Sequence, residues 1–255
     1  MRTYQTTLYH TQNEVSVGGD EVSDQAWEKD SSATGAWKKK SALSKSIYFF
    51  SLLKKNNPVI LSGWQQFIQQ DDGTINKEEA VPAKETGHVW VWNPSKDGIK
   101  QAEILANNDY PTVLAFADNT YFDLTYTPDI WEPGFYWAGK YLDTHAALKS
   151  SVNISKVLAN LTEEKQKNIV GIEGTLWSEN IPTERHLFYM ALPKMTGLAE
   201  SAWSPKETTS NSYYEVNWTS LTKRLGKDNK GFLGYLNKVY DIKYRGYPNG
   251  ISKEL

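Results

Sequence analysis

Val15-Ser16-Val17-Gly18-Gly19-Asp20-Glu21-Val22 is the stretch whose reading decides the fold. Val15 and Val17 alternate with a small polar residue, as at the end of a short strand. Gly18 and Gly19 let the backbone turn sharply or come close to a ligand. Asp20 and Glu21 then stand side by side. Adjacent strand residues point to opposite faces, so these two carboxylates can share a site only where the pleat breaks. Taken alone, the eight residues also fit a Gly-Gly turn followed by two solvated acids. The rest of the chain carries the decision.

Working outward, the same form recurs. Val59 to Trp64 is a short apolar run ending in Gly-Trp, typical of a buried parallel strand. His88 to Trp92 is a strand stopped by Asn93-Pro94, Thr112 to Ala117 is another, and Ile169 to Trp177 is the last. Helical segments separate them. One is expected over Thr34–Lys55, with Leu43, Ile47, Phe50 and Leu53 at helical spacing and Asn56-Asn57-Pro58 as its stop. A Ser-capped helix follows over Ser95–Asn107, and Pro111 restarts the chain. Thr183 to Ala202 reads as one helix kinked at Pro193. Residues 212–240 are mostly helical with a break near Asp228-Asn229, and residues 3–13 suit a short helix. Gln65 to Lys84 is polar, with a turn at Asp71-Asp72-Gly73. Asp118 to Leu142 is long, aromatic and irregular, the mark of a functional loop.

Five alternations of strand and helix mean βα units, an α/β class and a parallel sheet. Two closures are open: a doubly wound open sheet or a barrel. In a (β/α)8 barrel the active site gathers at the carboxyl ends of the strands. Those ends carry Asp20-Glu21, Trp64, Trp92, Asp118 to Asp123, and Trp177 with Glu179. One converging pocket is the economical reading, and the chain reads as a single domain over 1–255 with a Gly- and Pro-rich tail from about residue 240.

Composition narrows the chemistry. A formal net charge of −2 gives no reason to expect nucleic acid or an anionic membrane as partner. With no cysteine, thiolate nucleophiles and Cys-ligated metals are excluded. The four histidines show no H-x-x-x-H spacing, so no metal and no cofactor is expected. No apolar run is long enough to span a bilayer, and residues 1–14 hold no signal-peptide core. Ten Trp and fifteen Tyr are the unusual figures. Flat apolar rings with a polar edge suit sugar faces as well as protein cores.

The motifs Gly18-Gly19-Asp20-Glu21-Val22, Ser62-Gly63-Trp64, Val91-Trp92, Tyr121-Phe122-Asp123 and Leu176-Trp177-Ser178-Glu179 occur in the order seen in glycoside hydrolase family 20. Gly134-Phe135-Tyr136-Trp137 and Ala199-Glu200-Ser201-Ala202-Trp203 resemble its bacterial chitobiase branch. The resemblance implies a β-N-acetylhexosaminidase acting on chitobiose or similar glycans. It also implies a retaining mechanism in which the substrate's acetamido oxygen is the nucleophile, an exception to the two-carboxylate scheme. Glu21 then matches the general acid, a role favoured by partial burial among aromatics. Asp20 matches the carboxylate that holds the acetamido N–H, and Tyr121 the hydroxyl that orients its oxygen. Trp64, Trp92 and Trp177 match the walls of the sugar pocket, Trp137 a platform for the next sugar, and Asp123 and Glu179 acceptors for sugar hydroxyls. Trp27, Trp37, Trp203 and Trp218 are assigned to packing. Trp90 is expected to face the helix layer, and Asp118 and Glu173 to be structural acids. A periplasmic or secreted location is implied by the resemblance alone.

Two departures stand out. Serine at Ser16 replaces the histidine usual before the Gly-Gly-Asp-Glu motif, so a proton-carrying role there is lost. The resemblance also begins at the fourth barrel strand, leaving an incomplete (β/α)8 barrel of about strands 4 to 8. The first three strands, and with them an arginine of the sugar pocket, have no counterpart. Three readings are open: a piece of a longer polypeptide, one half of a complemented or self-associating assembly joined through its open sheet edges, or an inactive remnant. A non-catalytic amino-sugar-binding module is the competing function. The sequons at Asn153, Asn160 and Asn217 are short enough to arise by chance.

Overall fold

The computed structural model describes residues 14–23, 25–27, 40–56, 58–204, 211–226 and 230–246. The helix expected over residues 3–13 and Trp37 lie outside them. Five strands form one sheet: β1 (Glu14–Ser16), β2 (Ile60–Trp64), β3 (Thr86–Val91), β4 (Thr112–Leu114) and β5 (Ile169–Ile172), in the order β1-β2-β3-β4-β5. β1 pairs parallel with β2, and β2 with β3. Strand order follows chain order with no reversal. A doubly wound sheet reverses at a switch point, whereas a barrel adds each strand beside the last. The barrel type is therefore the one present, and β1 and β5 are its outer strands among the described residues.

The chain forms two compact units. The first comprises residues 1–92, 100–113 and 161–170, and the second residues 93–99, 114–160 and 171–255. Helix α1 (Ala42–Lys55) belongs to the first, and Ser41 caps it by accepting from the Ser44 N–H at 3.1 Å. The start expected at Thr34 lies outside the described residues. Leu61, Phe67, Ile68, Val89, Val91 and Leu105 are its fully buried core. This settles the face of Trp90 against expectation. Val89 and Val91 take the covered face, while Trp90 lies between His88, 5.8 Å away, and its register partner Trp64, at 6.4 Å. Alternation allows only one of the two sets inside, and the aliphatic set fills it.

Helix α2 spans Ser95–Asn107. Ser95 is not a cap but its first residue, and both its N–H and its hydroxyl are donated to Asp118. β4 stops at Leu114, short of the expected Ala117, because Ala117–Thr120 winds into a short helix, α3. The irregular segment after it has its backbone paired at several points: Phe122 N–H donates to Thr175 O at 2.8 Å and Phe135 N–H to Asp123 O at 2.8 Å. Glu132, deeply buried within it, takes the Arg245 guanidinium and the Tyr189 hydroxyl.

Helices α4 (Thr144–Leu148), α5 (Ser150–Ala159) and α6 (Glu163–Gln166) precede β5. The helix expected over 183–202 is two, α7 (Glu184–Ala191) and α8 (Lys194–Trp203). Proline lacks the N–H that would continue the ladder, so Pro193 separates rather than kinks them. α8 lies against α4, with Gly197 close to the Thr144 carbonyl and Ser201 Oγ donating to Leu148 O at 2.7 Å. α9 (Asn211–Leu225) and α10 (Gly231–Tyr240) close the second unit, and Leu148, Trp218, Leu221, Leu225 and Leu233 form its core. Trp218 therefore packs as expected, and partly buried Trp27 packs on Phe49 and donates to Ser46 Oγ at 3.1 Å. Trp203 does not: it is 89% exposed at the end of α8.

Candidate active site

In the first unit the carboxyl ends of β1, β2 and β3 bring Glu21, Gln66 and Trp92 together. The β1 backbone continues along β2 past its last strand residue, with Val17 N–H to Ser62 O and Trp64 N–H to Gly18 O, both 2.8 Å. Gly18 and Gly19 have φ of 66° and 88°, and a side chain on Gly19 would press on Phe67. That approach is what the Gly-Gly pair permits. Glu21 itself takes φ of 48°, a left-handed conformation that a non-glycine residue adopts at a cost and that clusters at functional sites. Its N–H donates to Gln66 Oε1 at 3.0 Å, and the same oxygen accepts the Trp92 indole N–H at 3.4 Å. Gln65 Oε1 accepts the Trp92 N–H at 3.1 Å. Gln65 and Gln66 were absent from the sequence-based site. The only local signal was a polar pair directly after a Gly-Trp strand end.

Asp20 and Glu21 are both exposed, so the described residues do not supply the partial burial expected for Glu21. Trp64 and Trp92 are half-buried. Ser16 pairs with Ser62 in register, and a second polar group lies beside them. The Glu14 carboxylate accepts from Ser62 Oγ and from the His88 N–H at 3.1 Å, and faces His88 Nδ1 at 2.7 Å. Burial disfavours its charge, but these partners outweigh burial and hold its pKa below the usual carboxylate value.

In the second unit Tyr121 is the centre. It is buried, with the Trp137 ring edge-on at 5.5 Å and the Trp177 ring tilted at 6.0 Å. A parallel bridge to Thr175 fixes Tyr121 beside the segment that delivers Trp177. Trp137 and Trp177 are 50% and 39% exposed, so each keeps an open face. Asp123, two residues on, is buried, and neither carboxylate oxygen closes a hydrogen bond of good geometry. Burial pushes its pKa up, against opposing pulls from its own N–H, the Trp177 N–H, the Lys194 ammonium and the Trp137 side chain. A buried, under-satisfied acceptor beside open aromatic rings is equipped to take hydroxyl donors from a ligand. The structure thus gathers Tyr121, Asp123, Trp137 and Trp177. Glu179 stays exposed on the loop after Trp177, and Glu173 is exposed directly after β5. Among the described residues no cluster of His, Asp and Glu could hold a metal ion.

The description "Glycosyl hydrolase family 20, catalytic domain" matches residues 5–206. The chain belongs to glycosyl hydrolase family 20. Among its relatives, a β-hexosaminidase of Vibrio vulnificus is 32% identical over 147 residues, which are 52% of this chain and 17% of that protein. An inactive mutant of the family 20 exo-β-N-acetylglucosaminidase from Vibrio harveyi superposes with a TM-score of 0.68 at 21% identity, over 95% of this chain and 34% of that one. The same enzyme in complex with N-acetylglucosamine gives a TM-score of 0.64 at 21% identity, over 91% of this chain and 33% of that one. At such identity these two structures bear on the fold. The chain spans about a sixth to a third of the family 20 proteins it matches here.

Proposed function

We propose that this chain belongs to a hydrolase that removes terminal non-reducing N-acetylhexosamine from chitobiose or similar glycans, by substrate-assisted retaining catalysis. The acetamido oxygen attacks the anomeric carbon as the glycosidic C–O bond breaks, and Glu21 gives its proton to the leaving oxygen. Water then opens the oxazolinium ring, and Glu21 takes a proton back. Asp20 holds the acetamido N–H and steadies the positive charge on nitrogen. Tyr121 donates to the acetamido oxygen and keeps it in line for attack. Trp64, Trp92 and Trp177 wall the sugar, Trp137 stacks the next one, and Asp123 and Glu179 accept from hydroxyls.

The observation that carries this reading is the Asp123 carboxylate, buried and under-satisfied in the company of Tyr121, Trp137 and Trp177. The names of the relatives and the sugar bound in one neighbour agree with it. An amino-sugar-binding module without turnover is the second reading, favoured by the exposure of Asp20 and Glu21. The test is hydrolysis of an aryl β-N-acetylglucosaminide by the longest polypeptide that carries this chain. Glu21→Gln should lower kcat about 10²- to 10⁴-fold. An unchanged rate removes Glu21 from the acid's role. Calorimetric binding of N-acetylglucosamine with no hydrolysis by the unmutated protein establishes the second reading instead.

A further inference from the structure

Lys194 opens helix α8 and is completely buried. Its ammonium group donates to the Phe122 carbonyl at 2.9 Å, in the peptide unit that enters Asp123, and to the Leu124 carbonyl, one peptide unit beyond the one that leaves Asp123. It also sits over the Tyr126 ring, 3.9 Å from the centroid. A buried lysine is costly to keep, and its donors usually satisfy nearby carboxylates. Here they go to backbone carbonyls that flank one acid. Those bonds fix the peptide plane before Asp123 and the one after Leu124, and the plane between them is held by the Phe135 N–H, which donates to the Asp123 carbonyl at 2.8 Å; together they set where the Asp123 Cα–Cβ bond points.

We infer that Lys194 is a positioning residue for Asp123: it clamps the 122–124 backbone so that the Asp123 carboxylate is held ready for a sugar hydroxyl. This rests on the hydroxyl-accepting role proposed for Asp123. The charges around the ammonium fit that arrangement. Burial lowers the Lys194 pKa to about 7, while Asp123, Glu132 and Asp143 pull it up and Arg245 pushes it down. A neutral amine still has two N–H donors for two carbonyls, so the clamp survives deprotonation and only its charge is lost. Nothing in the local sequence Leu192-Pro193-Lys194-Met195 marks the role.

The experiment combines titration with kinetics, in the longest polypeptide that carries the chain. The Asp123 carboxyl resonance is followed by ¹³C NMR against pH, in the unmutated protein and in Lys194→Met. The midpoint should rise in the variant, because one favourable charge is removed. An unchanged midpoint overturns the link between the two residues whether or not the protein is active. With an aryl β-N-acetylglucosaminide, Lys194→Met should raise KM about tenfold and change kcat less than threefold. It should add little to Asp123→Asn in the double variant. Lys194→Arg, whose guanidinium can also serve two carbonyls, should bring KM back to within about threefold of native. Full multiplicative effects, or equal losses in Lys194→Met and Lys194→Arg, make Lys194 a structural residue only. If Asp123→Asn leaves KM untouched, the hydroxyl-accepting role fails and the functional half of the inference with it.

Discussion

Asp118 and Asp123 lie five residues apart, both only 2% exposed, and the fold treats them in opposite ways. Asp118 is saturated. It accepts the Ser95 N–H at 2.8 Å, the Ser95 hydroxyl at 2.7 Å and the Lys140 ammonium at 2.6 Å. Burial works against its charge, yet Lys140 and Ser95 prevail and hold its pKa below the usual value. Asp123 has only poorly aligned approaches from its own N–H, the Trp177 N–H and the Trp137 side chain, and burial holds its pKa above the usual value. Burial alone therefore says little about function. An acid whose donors come from its own fold is a structural tie. An acid whose donors are poorly placed is a cost that calls for an explanation, and a ligand hydroxyl is one.

The largest test of this contrast is Asp118→Ala. It removes the acceptor of two donors at the start of α2 and of Lys140. The expected loss is about 3 kcal/mol in urea unfolding, since hydrogen bonds to a charged group are each worth about 1.5–3 kcal/mol net and Lys140 is partly solvated. KM for an aryl β-N-acetylglucosaminide should stay within about twofold. A tenfold rise in KM without loss of stability would place Asp118 among the sugar contacts and erase the distinction.

Asp123→Asn should do the reverse. It should lower kcat/KM about tenfold, roughly 1.4 kcal/mol. It should also stabilise the fold at pH 7 by roughly 1 kcal/mol, the low end of the cost of an unsatisfied buried group. The sign follows from linkage. A carboxyl with a raised folded pKa contributes stability that is whole below the unfolded pKa, near 3.9, and is lost as pH rises through the folded value. The gain from Asn should therefore vanish below about pH 4. Asp118, with a lowered folded pKa, contributes stability above its unfolded pKa and loses it as pH falls through the folded one. Unfolding curves between about pH 3 and 7 should separate the two acids by opposite slopes. Parallel slopes would show that both are tied alike.

The sequence made the βα order legible because each strand ends in distinctive residues, and Gly18-Gly19 marked the one place where Asp20 and Glu21 could share a site. Hydrophobic spacing did not separate Trp90 from Val89 and Val91, since an aromatic and an aliphatic set both suit a strand. Nor did it show that Trp203 is left exposed, or that the 183–202 helix is two helices separated at Pro193. The contrast between the two acids was not readable at all. What saturates Asp118 comes from Ser95 and Lys140, each more than twenty residues away. What holds Asp123 comes from Lys194, across some seventy residues. Non-local polar partners leave no period in a sequence. Gln66, which joins Glu21 to Trp92, was hidden for the same reason.

Ser95→Ala is the finest cut at the comparison. It deletes the hydroxyl that donates to Asp118 Oδ2 and leaves the Ser95 N–H and Lys140 in place. About 1 kcal/mol of stability should go, near the net worth of one hydrogen bond. The Asp118 titration midpoint should move up, because one of the groups favouring its charged form is gone. The Asp123 midpoint should not move, since none of its surrounding influences comes from Ser95. A loss as large as that of Asp118→Ala would mean that the backbone N–H and Lys140 bonds depend on the hydroxyl. A shift at both acids would mean that the stretch between them responds as one body, so that saturation at one site and deficit at the other are not independent properties.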